Sequence, residues 1–196
     1  MSHIERIDSF ARKHMSKSDM GAHVYDHVKR VYSIALRLGQ ELEADMRVLG
    51  AAALLHDVGR AYEKEKRISH SILSGEMSVD ILREVGYSEE EIGKVKDAIR
   101  THRFSEGLSP TSLEGEILSD ADKLDAIGAI GIARAIAQAT ARGDGIQAFL
   151  EHADEKLLKL HEMMHTSEAK KLAKTRHSIL SAFVAELRAE LLSQES

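Results

Sequence analysis

The sequence predicts an all-α protein. One proline in 196 residues, Pro110, leaves long stretches free of the strongest helix breaker. Apolar residues recur at three- and four-residue steps through most of the chain, and no segment of useful length alternates with the period of two that a strand requires.

Taken in order, Val24, Val28, Val31, Ala35 and Leu38 form one face of a first helix, with Gly39 placed where a glycine ends one. Leu49, Ala52, Ala53 and His56 mark a second, closed by Gly59. A third is predicted from Ile68 to Val85, stopping at Gly86. Ser88 followed three residues later by Glu91 reads as a capping box that opens a fourth helix running to about His102. Arg103 to Thr111, with Ser105, Gly107, Ser109 and Pro110, reads as a loop. The helical pattern resumes from Leu113 to about Ala141, breaks at Gly143 and Gly145, and continues in helices over Ile146 to Met164 and Ser167 to Leu192. The last carries dense charge (Lys170, Lys171, Lys174, Arg176), but Leu172, Ile179, Leu180, Phe183 and Leu187 supply an apolar face that predicts docking. Met1 to Met20 is polar and mixed in charge, without the apolar stretch of a secretory signal, and no helix is read there.

A hydrophobic content of 43% over this length supports one sizeable core. The expected organisation is a single domain over residues 1–196, with a core at about 22–141 and a C-terminal helical extension at about 145–193. There are no cysteines, which excludes a disulfide framework and a thiolate metal site. The longest apolar run, Leu49 to Leu55, is far too short to span a bilayer, so a soluble cytoplasmic protein is expected. Net charge is -5, with acidic and basic residues interspersed, which argues against a nucleic-acid polymer as partner but leaves room for a small anionic substrate. Aromatic residues are 4% and tryptophan is absent, so base-stacking platforms are not expected. A homo-oligomer is left open. The informative excess is histidine, of which there are 11.

Three segments put metal-ligand side chains at the edges of apolar helix faces. In Tyr25-Asp26-His27-Val28, His27 lies three residues after Val24 and four before Val31, on the core side. In Leu54-Leu55-His56-Asp57-Val58-Gly59-Arg60, His56 continues an apolar face, and Asp57 stands at the end of an apolar helix where a bare carboxylate would be costly to bury. In Ile117-Leu118-Ser119-Asp120-Ala121-Asp122-Lys123-Leu124-Asp125, Asp122 falls one turn after Leu118. One divalent cation would offset the cost in all three places. Two imidazoles and two carboxylates suit Mn, Fe, Co, Ni or Zn, and Mg less well. No dinucleotide loop, Walker lysine motif or nucleophile elbow competes.

The ordered segments "YDHVKRV", "ALLHDVGR" and "LSDADKLDAIGAIGIARA" resemble the HD superfamily of metal-dependent phosphohydrolases. "EKLLKL" and "TSEAKKLAKTRHSIL" look like its subgroup of small stand-alone hydrolases, so the likeness runs from about Ala22 to Leu187. The resemblance implies an all-helical HD-domain bundle with C-terminal helices, and a metal held by His27, His56, Asp57 and Asp122. In dinuclear members, histidines placed like His70 and His102 hold a second metal with the aspartate bridging; in mononuclear members they line the pocket and bind phosphate. Arg103, where the cyclic-dinucleotide phosphodiesterase branch has a second histidine, counts against that branch.

The implied activity is metal-dependent hydrolysis of a small phosphate ester, a nucleotide included. Asp57 would take part in activating the nucleophile, and Arg60 and Lys123 would steady developing negative charge. Arg60, Lys123, His70, His102, Arg103, Lys156 and Arg176 are the substrate-binding candidates, and Asp125 or Glu63 the candidate outer acid or base. His23 is read as neighbouring the metal site or as a first-turn residue. His3, His14, His152, His161, His165 and His177 are read as surface or packing residues. Two other functions fit the same residues: a metal-containing nucleotide sensor without turnover, and a di-iron oxygenase.

Overall fold

The computed structural model describes residues 2–15, 22–103 and 106–193, and the side chains of residues 22–24 fall outside that description. The expectations for His23, for the Val24 side chain and for Ser105 lie there too. Among the described residues all regular structure is helical, and no helix is long and apolar enough to cross a membrane. The chain forms two compact units, residues 1–121 and 122–196.

The first unit begins with a helix that the sequence reading did not assign, α1 (His3–Met15). Its buried stripe is only Ile7, Ala11 and Met15, one residue per turn, which is too sparse to stand out in a polar segment. It opens with a capping box: the Ser2 amide donates to Glu5 Oε2 (2.7 Å) and the Glu5 amide to Ser2 Oγ (3.3 Å). Helix α2 (Ala22–Glu41) buries Val28, Val31, Ala35 and Leu38 as predicted. It runs past Gly39, which is not a stop. A Cβ there would lie 2.4 Å from Leu49 Cδ2, so the glycine allows α2 to approach α3 (Met46–Leu55) closely.

Helix α3 is capped by Asp45, which accepts from the amides of Arg47 (3.0 Å) and Val48 (3.1 Å). Every residue from Val48 to Leu55 is buried, so α3 is the central helix of this unit, enclosed on all sides. A 3₁₀ turn (Arg60–Tyr62) and a short α4 (Glu63–Lys66) lead to α5 (His70–Glu84). Helix α6 (Glu89–Thr101) starts with both bonds of the predicted capping box, Glu91 N to Ser88 Oγ (3.2 Å) and Ser88 N to Glu91 Oε2 (2.7 Å). Helices α2, α5 and α6 pack against α3, and α5 and α6 also against each other.

The stretch expected to be one helix from Leu113 to Ala141 is two: α7 (Leu113–Asp125), within which the two units meet in sequence, and α8 (Gly128–Arg142). Ile127 is extended between them, and Gly128 has φ +75°, a left-handed value that favours glycine. Gly143, also left-handed, ends α8 where the sequence placed the break. The helix expected over Ile146 to Met164 is α9 (Gly145–Glu155) followed by a 3₁₀ stretch (Leu157–Met163). Phe149, Leu150, Ala153, Leu157 and Leu160 are buried within it. On α10 (Ser167–Ser193) the buried line is Ala169, Ala173, Leu180 and Val184; of the face predicted from large residues, Ile179 and Phe183 are exposed. Ala169 and Ala173 permit close helix approach over the first turns, and Leu180 of the predicted face and Val184 complete the buried line.

Candidate metal centre

Five side chains of the first unit converge. His27 comes from the second turn of α2, His56 is the residue that ends α3, Asp57 follows it in the turn, His70 opens α5, and His102 ends α6. All five are buried, between 0% and 3% exposed. Four rings lie edge to face or tilted in a row, with centroids 5.4 Å apart for His27–His56, 5.1 Å for His56–His102 and 5.5 Å for His70–His102.

Their ligand atoms form two groups that share one carboxylate: His27, His56 and Asp57, and Asp57, His70 and His102. Asp57 Oδ2 is 3.8 Å from Nε2 of both His27 and His56, and Oδ1 is 3.2 Å from Nε2 of His70. Backbone carbonyls orient two of the rings in the same way. His56 Nδ1 sits 2.9 Å from Ala53 O and His102 Nδ1 2.6 Å from Ile99 O, each three residues back at a helix end where carbonyls lack helical partners. A carbonyl only accepts, so both rings carry their proton on Nδ1 and turn Nε2 inward. Ser119 of α7 donates to the His102 carbonyl (3.1 Å).

The Asp57 carboxylate remains ionised in this setting. Burial alone would raise its pKa, but Arg60 first, then His56, His70 and His27, hold it well below the usual carboxylate range. Arg60 Nη1 is 2.6 Å from Asp57 Oδ2, and its side chain is 45% exposed, so it can also reach solvent. Burial lowers the His70 pKa, with Arg60 and His102 adding to the effect against the pull of Asp57. Asp57 Oδ1 and His70 Nε2 are buried and neither makes a hydrogen bond. Two electron-pair donors in contact at 3.2 Å repel, and a cation is the simplest group that satisfies both. Imidazole and carboxylate donors fit a first-row divalent ion.

Glu63 lies at the edge of the cluster. Its carboxylate accepts from Arg103 Nη1 (2.6 Å) and from the His70 amide (3.2 Å), and it faces His70 Nδ1 (3.1 Å). Glu106, which no spacing in the sequence could have singled out, accepts from Ser71 Oγ (2.9 Å), Ser69 Oγ and Arg100, and ties the loop that begins at Arg103 to the start of α5.

The remaining candidates are placed as follows. Asp122, half-buried, and Lys123 and Asp125, both buried, lie on α7 and belong to the second unit. Asp125 Oδ2 is paired with Arg134 at 2.5 Å, a partner that the sequence reading did not identify. The Arg176 guanidinium donates to the Leu124 carbonyl, and its Cβ would meet any side chain at Gly128 at 3.0 Å, so it caps α7 and packs against the α7–α8 turn. Lys156 is exposed at the end of α9. His161 and His177 stack on each other within the second unit, centroids 3.5 Å apart. His14 packs on Phe10, with centroids 4.3 Å apart.

The chain is similar to known proteins over most of its length. The HD domain family matches residues 24–127. The uncharacterized protein YpgQ of Bacillus subtilis (strain 168) is 33% identical over 196 residues, covering 95% of this chain and 93% of its own. The crystal structure of YpgQ in complex with ADP superposes with a TM-score of 0.77 at 29% identity, covering 95% of this chain and 97% of that one. An HD-superfamily hydrolase from Bacillus thuringiensis gives 0.76 at 31% identity, covering 96% of each chain. The chain belongs to the HD domain family, whose members bind divalent metal ions.

Proposed function

We propose that this chain is a metal-dependent phosphohydrolase acting on a small phosphate ester, with nucleotides the favoured class. The observation that carries the reading is the buried Asp57 carboxylate shared by two histidine groups, with its Oδ1 and the facing His70 Nε2 both lacking hydrogen bonds. His27, His56 and Asp57 would hold one ion, and Asp57, His70 and His102 a second. The ADP complex of YpgQ supports a nucleotide as the ligand class.

A bound divalent ion polarises a phosphoryl oxygen and brings the pKa of its water toward neutrality. The chain's own residues supply the rest. Asp57 has its pKa held down by Arg60 and the neighbouring imidazoles, so it is available as an ionised ligand. Arg60 and Arg103, each partly exposed beside the buried cluster, offer guanidinium groups to the phosphate oxygens.

The test is a screen of nucleotides, sugar phosphates and phosphodiesters with metal-stripped protein, to which Mn, Co, Ni or Mg is returned. Turnover restored by metal and lost in Asp57→Asn supports the reading. Metal bound at the cluster with no turnover of any phosphate would replace it with a binding or sensing role. A shared carboxylate between two ligand groups also suits a di-iron oxygenase, which would show oxygen consumption that no phosphate substrate requires.

A further inference from the structure

We propose that Glu63 is the positioning residue that sets the tautomer of His70, so that the ring presents a bare Nε2 toward Asp57. This rests on the metal-centre reading above and deepens it.

His70 differs from its neighbours in how its outer nitrogen is held. His56 and His102 each lean on a backbone carbonyl of their own helix, which no substitution can remove. His70 is the first residue of α5 and has no preceding helical turn to supply a carbonyl. Glu63, from the start of α4, takes that place with Oε2 at 3.1 Å from Nδ1. The carboxylate is itself fixed by two further donors on its other oxygen, the His70 amide (3.2 Å) and Arg103 Nη1 (2.6 Å).

A neutral imidazole has one N–H to place. A carboxylate can only accept, so the proton belongs on Nδ1. On the far side, Nε2 lies 3.2 Å from Asp57 Oδ1 in a geometry that makes no hydrogen bond. The alternative tautomer would aim Nε2–H at Asp57 and spend the lone pair that a cation needs. Glu63 therefore prevents His70 and Asp57 from satisfying each other. Arg103, through the same carboxylate, ties this setting to the first residue of the following loop.

The tautomer can be read in metal-free protein, independently of any activity. Protein carrying ¹⁵N-labelled histidine is observed by long-range ¹H–¹⁵N correlation above the His70 pKa, with the His70 signals assigned by their loss in His70→Gln. Glu63→Gln keeps an acceptor oxygen and the side-chain shape; Glu63→Leu removes the acceptor. Mn²⁺ affinity and stoichiometry are measured on the same samples by calorimetry. The expected result is Nδ1–H in the wild type and in Glu63→Gln, a shift toward Nε2–H in Glu63→Leu, and an affinity for the second Mn²⁺ about 10–100-fold weaker in Glu63→Leu with partial rescue in Glu63→Gln. Nε2–H in the wild type, or Mn²⁺ binding by folded Glu63→Leu within twofold of the wild type at both sites, overturns the inference. A wild type that binds no Mn²⁺ at all overturns the metal-centre reading instead, whatever the tautomer.

Discussion

Gly59→Ala separates two opposed physical effects by sign. The residue follows Asp57 by two and sits at φ -83°, ψ -8°, a right-handed conformation open to any residue. If only the backbone mattered, alanine would stabilise the protein by about 0.4–1 kcal/mol, because it restricts the unfolded chain. Space decides otherwise. An added Cβ would stand 2.6 Å from Leu73 Cβ, 2.7 Å from the Ser74 amide nitrogen and 3.0 Å from the Leu73 carbonyl carbon. Two of these three atoms are backbone of α5, and they cannot turn aside as a side-chain tip would. The Gly59 amide also donates to the buried Ser74 hydroxyl at 2.9 Å, so separating the turn from α5 strains that bond. Overpacking of this kind costs about 1–3 kcal/mol. The expected outcome is destabilisation by about 2 kcal/mol in urea, and a fall in Tm of about 4–8 °C for a chain of this size. Because Asp57 and His70 lie on the two elements forced apart, Mn²⁺ affinity should fall in the same variant. An unchanged or raised midpoint would refute the packing argument, and weakened stability with unchanged Mn²⁺ affinity would refute the link to the centre.

Mn²⁺ at one hundred times its Kd should raise folding stability by about 2.7 kcal/mol per site, seen as a concentration-dependent Tm, and Asp57→Asn should abolish the shift. Glu106 has a carboxyl that burial would raise but that Ser69, Ser71 and Arg100 hold down at about 2. Its folded value lies below its unfolded one, so its stabilisation is complete above about pH 4.5 and drains away as pH falls toward 2; linkage sets a ceiling of about 3 kcal/mol, or roughly 1 once solvent screening at its exposed arginine partner is discounted. Urea midpoints of Glu106→Gln and wild type should therefore differ at pH 7 and converge at acid pH, and a constant difference across that window would count against the assignment. Arg134→Ala removes the guanidinium 2.5 Å from the fully buried Asp125 carboxylate and should cost about 3 kcal/mol, with Arg134→Ala/Asp125→Asn recovering much of the loss in the same unfolding assay.

Local pattern carried the reading a long way, and its failures share a cause. The helix faces of α2 and α3, the Ser88–Glu91 capping box and the Gly143 stop are relations among residues within one or two turns, and periodicity exposes such relations directly. The His56-Asp57 pair and the outlying His27 were recognisable because imidazoles and carboxylates on apolar faces contradict the burial rule for charge. Gly39 looked like a helix stop and is a contact between helices, because a glycine's use depends on what stands opposite it. Helix α1 escaped because one buried residue per turn leaves little signal among polar neighbours.

The amino-acid order alone settled that the chain is helical, where most of its helices lie, and which residue types could hold a metal. Only the folded arrangement could decide that one carboxylate lies within reach of two histidine groups, that Glu63 faces His70 and binds Arg103, and that Arg134 and Arg176 hold the end of α7. Those are contacts across 7 to 52 residues of sequence, and packing selects them through distances that no local period encodes.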